Sequence, residues 1–163
     1  MRKVREMRED QIYFDRDTGK GYLTARALID AYIARFSNRV SAATGTNIKF
    51  NPLDEDGYSF VVKGSAAVGI NVLEDYGIIL LLAKIMAVPE ARQAEFLRKL
   101  LELNYSATSN AAFALDKETS TVYLRASRSV AGLDYEEFEE MLHSVATVAD
   151  EWDDKLVAEF EEG

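Results

Sequence analysis

The chain has 163 residues, 48% of them hydrophobic and 29% charged, which is the size and make-up of one ordinary globular domain able to bury a core. A formal net charge of −9 and the lack of any cysteine exclude disulfides, thiolate nucleophiles and cysteine-held metal, and argue against nucleic acid, whose phosphates call for a concentrated basic surface. The longest apolar run, Tyr76 to Val88, contains Gly77 and Lys84 and falls short of the roughly 18 to 20 residues that a membrane-spanning helix needs.

The first residues, Met1-Arg2-Lys3-Val4-Arg5-Glu6, lack the apolar segment of a secretory signal, so a cytoplasmic protein is expected. Arg2, Lys3, Arg5 and Arg8 form a basic cluster, read first as a frayed tail and second as a contact for an acidic partner. Residues 1–22 are taken as an N-terminal extension. Only Pro52 and Pro89 interrupt the rest of the chain, without a linker or repeat, so residues 23–163 are expected to form a single α+β domain.

From Leu23 to Val40, apolar residues at Ala27, Leu28, Ala31, Tyr32 and Phe36 have the three-and-four spacing of an amphipathic helix. Thr24 is its expected cap, and Thr44-Gly45 its end. Ile48 and Phe50 then alternate with polar residues, and Phe60 and Val62 come after the turn Asp54-Glu55-Asp56-Gly57. Val68, Ile70 and Val72 alternate again. That pattern predicts a β-meander of three strands. Tyr76 to Leu82 is apolar without alternation, which predicts a strand covered on both faces and hence a second layer over the sheet.

Pro89 suits a helix first turn, and Glu90 to Leu103 reads as helix. Its residues Ala94, Phe96, Leu97, Leu100, Leu101 and Leu103 spread over half the helical wheel, wider than one stripe. One arc is assigned to its own sheet and the other to a partner or a second copy, with Phe96, Leu100 and Leu103 as candidate dimer-interface residues; a helix buried all round in a monomer would show the same arc. Asn110 to Asp116 and Thr121 to Ala126 alternate around Lys117-Glu118-Thr119, a β-hairpin. Asp134-Tyr135-Glu136-Glu137 has the form of a capping box, and after it comes the stripe Phe138, Met141, Leu142, Val145, Val148, Ala149, Trp152 and Leu156 of a long terminal helix.

Sites for chemistry are weak. The single histidine, His143, falls beside the Leu142 stripe and has no second histidine to share a metal. Asp15-Arg16-Asp17-Thr18-Gly19 resembles a calcium loop only faintly and reads as a turn. Glu136, Glu137, Glu139 and Glu140, with Asp150, Glu151, Asp153 and Asp154, occupy the polar arc of an exposed helix, where carboxylates are solvated and not poised for acid–base work. No enzyme activity, cofactor or metal is expected.

Leu100-Leu101-Glu102-Leu103-Asn104, Phe113-Ala114-Leu115-Asp116, Val122-Tyr123-Leu124, Leu133-Asp134 and the helix from Val145 to Trp152 resemble the class I type III secretion chaperone superfamily over about Phe60 to Leu156. That superfamily includes the Tir-chaperone (CesT) family and the YbjN family, and the ending Ala146 to Val157 is similar to YbjN-type domains. The resemblance implies a helix, meander, helix, hairpin, helix fold, a homodimer, and an acidic protein that holds an extended, partly unfolded partner segment on apolar patches. The alternative it implies is a YbjN-like regulatory scaffold with no unfolded client. Leu28, Tyr32, Phe36, Ile48 and Phe50 are the candidate partner-binding residues on this reading. The chain departs from the family pattern in its N-terminal extension and in the Thr108-Ser109-Asn110 entry to the hairpin.

Overall fold

A computed structural model describes residues 11–45, 52–63 and 66–161. In chain order the elements are β1 (Tyr13–Phe14), β2 (Gly21–Tyr22), α1 (Ala25–Thr44), β3 (Tyr58–Lys63), β4 (Ala66–Leu73), a 3-10 turn (Glu74–Tyr76), β5 (Ile78–Ala87), α2 (Gln93–Ser106), β6 (Ala112–Asp116), β7 (Thr121–Ser129) and α3 (Tyr135–Phe160). β1 and β2 pair with each other, and the remaining strands form one sheet in the order β3-β4-β5-β7-β6. The links from β3 to β4 and from β4 to β5 are too short for a crossover, so these three strands are a meander. The class is α+β, as expected. Ile48 and Phe50 of the expected first strand, and the cluster Arg2, Lys3, Arg5 and Arg8, lie outside the described residues.

Two compact units divide the chain: Met1–Phe60 with Ile70–Leu80 and Ser127–Glu140, and Val61–Gly69 with Leu81–Ala126 and Met141–Gly163. In the first, α1 is built much as its sequence requires. Thr24 is extended and its side chain accepts from Ala27 N at 3.1 Å, satisfying a donor that a helix start leaves unpaired. The helix runs to Thr44, the end expected of it. Only Gly45 supplies the left-handed conformation (φ 68°) that ends it, donating to the Ser41 carbonyl. Leu28, Ile29, Tyr32, Ile33 and Phe36 form its buried stripe.

The expected extension is in part a folded hairpin packed on α1. Tyr13 is buried, the Asp15 amide donates to the Lys20 carbonyl at 2.9 Å, and the buried Asp15 carboxylate accepts from Asp17 N at 2.9 Å. Asp17 in turn pairs with Arg35 at 2.7 Å. The Asp15 to Gly19 segment is thus a turn, as expected. The Tyr32 hydroxyl donates to the Leu133 carbonyl at 2.8 Å, and its ring meets Tyr135 edge-on at 5.7 Å. The Arg35 guanidinium lies 4.1 Å over the Tyr135 ring. Burial pushes both phenols up to about 12, helped at Tyr32 by the nearby Asp15 and at Tyr135 by Glu139. The capping box also forms reciprocally: Glu137 N donates to Asp134 Oδ1 at 2.8 Å and Asp134 N to Glu137 Oε2 at 3.1 Å.

In the second unit, α2 starts later than expected. Val88 N donates to the Ser120 carbonyl, so the chain is still tied to the sheet there, and the helix opens at Gln93 after Arg92 turns the backbone left-handed (φ 58°). Pro89 therefore lies in the lead-in and not in the first turn. The Arg92 guanidinium donates to the Glu159 carbonyl at 3.0 Å and covers the Phe160 ring at 4.8 Å, closing the last turn of α3, whose carbonyls have no helical partner. Phe96 meets Phe160 edge-on at 5.1 Å.

β5 also differs from expectation. Tyr76 sits in the 3-10 turn, Gly77 is left-handed, and the strand runs on to Ala87. Ile79, Leu81, Ala83 and Ile85 are buried while Ile78, Leu80 and Leu82 are half-buried. One face is covered and the other only partly, where full cover of both was expected.

Candidate functional site

His143 is exposed, and among the described residues no group of three His, Asp or Glu side chains is arranged to hold a metal ion. No helix of the described residues is long and apolar enough to cross a membrane. What the structure offers outward is apolar surface and carboxylate charge.

The partner-binding candidates of α1, Leu28, Tyr32 and Phe36, are 0%, 1% and 4% exposed. They line the interior and leave no surface for a partner. Phe96, Leu100 and Leu103 are likewise buried within the chain. The apolar arc that α2 leaves outside is Leu97, Leu101 and Tyr105, at 39%, 70% and 95% exposure. These residues stand at intervals of four and therefore lie in a row along one face, flanked by the Arg98–Glu102 ion pair at 3.0 Å. Leu97 and Leu101 were visible as part of the broad arc; Tyr105 was missed because the helix runs past its expected end.

In the first unit, a cleft of about 310 Å³ is lined by Arg26, Asp56, Val72, Leu73, Glu74, Asp75 and Tyr76. Local sequence explains its shape. Gly57 is left-handed (φ 77°) and its carbonyl accepts from Val72 N at 2.8 Å, and a Cβ there would meet the Val72 carbonyl oxygen. Only glycine lets the loop from Asp54 come this close. The loop is held from the other side by Arg26, whose guanidinium donates to the carbonyls of Asp54 and Glu55, and by Asp30, which accepts from Leu53 N at 2.8 Å. The Glu74 carboxylate accepts from Ala25 N at 2.9 Å and Arg26 N at 3.0 Å, a negative group at the positive end of α1.

The charge in the cleft is a result of these bonds. Arg26 and Glu74 are committed to the framework. No described cation pairs with the carboxylates of Asp56 and Asp75, both exposed. Beside them Leu73 and Tyr76 stand 42% and 51% exposed. The cleft is thus acidic with apolar walls. Its one legible signal was the polar break Glu74-Asp75 between two apolar runs.

The sheet's two outer strands are unlike. At β6 the Asn104 side chain accepts from Phe113 N at 2.7 Å and donates to the Phe113 carbonyl at 3.3 Å, occupying at that one residue the groups that an added strand would use. At the other end, β3 has a neighbour on one side only among the described residues. Its first residue is closed, since Asp54 takes both Tyr58 N and the Tyr58 carbonyl.

A model of the Tir chaperone protein (CesT) family matches residues 41–153. Among curated proteins, none matches the sequence. Among solved structures, a chain of the ExsC-ExsE complex is similar with a TM-score of 0.63 and 23% identity, over 80% of this chain and 95% of that one. A chain of the heterodimeric ExoU-SpcU complex from the type III secretion system of Pseudomonas aeruginosa has a TM-score of 0.56 and 19% identity, over 83% and 99%. A chain of the HopA1-SchA chaperone-effector complex has a TM-score of 0.55 and 11% identity, over 78% and 97%. At these identities the likeness is one of fold.

Proposed function

This chain belongs to the Tir chaperone protein (CesT) family, and from that footing we propose that it is a non-catalytic protein-binding module that holds an extended, partly unfolded segment of a partner protein. The observation that carries the reading is the acidic cleft with Leu73 and Tyr76 exposed at its wall. An extended segment places alternate side chains on one side, so apolar and basic residues two positions apart match such a wall. The outer edge of the meander, β3, offers backbone pairing. The similar solved chains come from chaperone and secretion complexes, which supports a secreted effector as the partner. Binding requires no bond-making step and no cofactor.

A homodimer is part of the proposal. The row Leu97, Leu101 and Tyr105 is an apolar seam with a charged rim, the anatomy of a helix that meets a second copy.

The test of client holding is capture from source lysate on the immobilised full-length protein, compared with a Leu73→Ser, Tyr76→Ser double variant whose folding is first verified by circular dichroism. The expected result is a protein retained by the wild type and lost by the variant, bound through a stretch that proteolysis shows to lack a fold of its own. Retention of the same set by both proteins, or binding through a folded domain, overturns the reading.

A further inference from the structure

We propose that the partner segment held at the cleft continues from it over the hairpin β1–β2, with Leu23 and Phe14 as its further apolar contacts. The inference rests on the client-holding reading and extends the surface that reading assigns.

Among the described residues, the large apolar side chains left exposed fall in two groups. In the second unit they are the row on α2 and Leu115; in the first they are Ile12, Phe14, Leu23, Tyr58, Leu73 and Tyr76. Apolar side chains gathered in this way mark a surface that something covers. The cleft accounts for Leu73 and Tyr76 alone. Ile12 and Phe14 stand two positions apart, on the side of the strand opposite the buried Tyr13. Both lie over Gly21, where a Cβ would meet Ile12 Cγ2 at 3.0 Å and a Phe14 ring carbon at 3.2 Å. Glycine thus lets two apolar side chains lie down across the neighbouring strand as a ledge. Leu23, 84% exposed, follows directly after β2.

Ledge and cleft adjoin through the start of α1. Phe14 pairs with Gly21, about 5 Å across the two strands, and Gly21 is at most about 14 Å from Ala25 along the chain. The Ala25 amide is held at 2.9 Å by Glu74, a residue of the cleft, and Leu23 stands between. An extended segment covers that path in about six residues at about 3.3 Å each. Charge states which kind of segment fits. Arg26 is spent on two carbonyls, so Asp56 and Asp75 call for a basic residue at the cleft end, and the ledge calls for aliphatic or aromatic residues about six positions away. The hairpin lies outside residues 41–153, which the family model matches, so the ledge is an addition to what that model describes.

The test uses the full-length protein with the photoreactive benzoylphenylalanine in place of Tyr76 in one preparation and of Phe14 in another. Both are checked for folding by circular dichroism and irradiated in source lysate, and mass spectrometry maps each cross-link. The expected result is one partner polypeptide joined at two points about six residues apart, with a lysine or arginine at the Tyr76 end. Cross-links to a partner from position 76 but not from position 14 overturn this inference and leave the client reading standing. No cross-link from position 76 removes the client reading and this inference with it. A cross-link from position 14 to this chain itself, within one molecule or between two, also overturns the inference, as do two points on the partner too far apart to belong to one segment. A peptide of the mapped stretch gives the second readout. Leu23→Ser and Phe14→Ser should each weaken its binding about tenfold, as expected for one apolar side chain no longer buried. Leu115→Ser, also an exposed position but in the second unit, should leave it unchanged. Equal affinity in the wild type and both hairpin variants overturns the inference, and so does the same loss in Leu115→Ser, which would make the contact unspecific.

Discussion

The carboxamide of Asn104 brackets Phe113, accepting from its N–H at 2.7 Å and donating to its carbonyl at 3.3 Å, as a neighbouring strand would. β6 is thereby anchored to the end of α2, and its outer edge is blocked at Phe113. Asn104→Ala removes both bonds and should lower stability by about 2 kcal/mol. Urea unfolding should show a lower midpoint with unchanged slope. Asn104→Asp keeps the acceptor and turns the donor into a repelling oxygen, so it should do no better than alanine. An unchanged midpoint for either variant would mean that water replaces the carboxamide at no cost.

Gly57 and Gly45 have nearly the same backbone, φ 77° and 68°, yet an added Cβ meets the Val72 carbonyl oxygen at 2.8 Å in the first and nothing within 4 Å in the second. Gly45→Ala should therefore cost about 1 kcal/mol, the strain of a left-handed residue alone. Gly57→Ala should cost distinctly more, because the loop must move off β4 or compress against it. Thermal melts of the two variants decide it, and equal losses would refute the close approach.

Alkali should loosen the first unit. The phenols of Tyr32 and Tyr135 ionise in the folded chain near pH 12 in place of 10.0. Between those values the unfolded chain has already lost protons that the folded chain keeps, so stability falls as pH rises from 10 toward 12. Urea midpoints at pH 9, 10 and 11 should decline, and Tyr32→Phe should flatten the decline while lowering stability at neutral pH by loss of the bond to Leu133. A wild-type midpoint constant over this range would show that the two phenols do not couple to folding. On the acid side, Arg128 holds the Glu137 carboxyl below its ordinary value; its stabilisation is present above that ordinary value and fades as pH drops through the folded one.

On α2, Leu101 is 70% exposed and Phe96 is fully buried. Leu101→Glu should convert a dimer to a folded monomer, with light scattering halving the mass and circular dichroism unchanged. Phe96→Glu should instead unfold the protein, since a carboxylate there has no partner and no water. A monomeric wild type would remove the seam from the proposed function.

Much of the architecture was legible because it is written locally. The cap at Thr24, the stop at Gly45, the reciprocal box of Asp134 and Glu137, and the alternation of Val68, Ile70 and Val72 depend on neighbours within a few positions, which is the range over which side chains compete for backbone groups. The binding candidates were less legible. Tyr32 reads the same along the chain whether it faces a partner or donates to Leu133, which lies far away in sequence.

By itself, then, the sequence determined the alternation of helices and strands from α1 onward, the acidic charge and the lack of cysteine chemistry. Helical periodicity shows that α2 has apolar residues over a wide arc, yet the same period holds for Phe96 inside and Leu101 outside. Which arc is covered, which strand residue Asn104 brackets, and the meeting of Asp56 and Asp75 in one cleft were decided only by the tertiary structure. Burial is set by what packs from distant parts of the chain, and no local spacing encodes that.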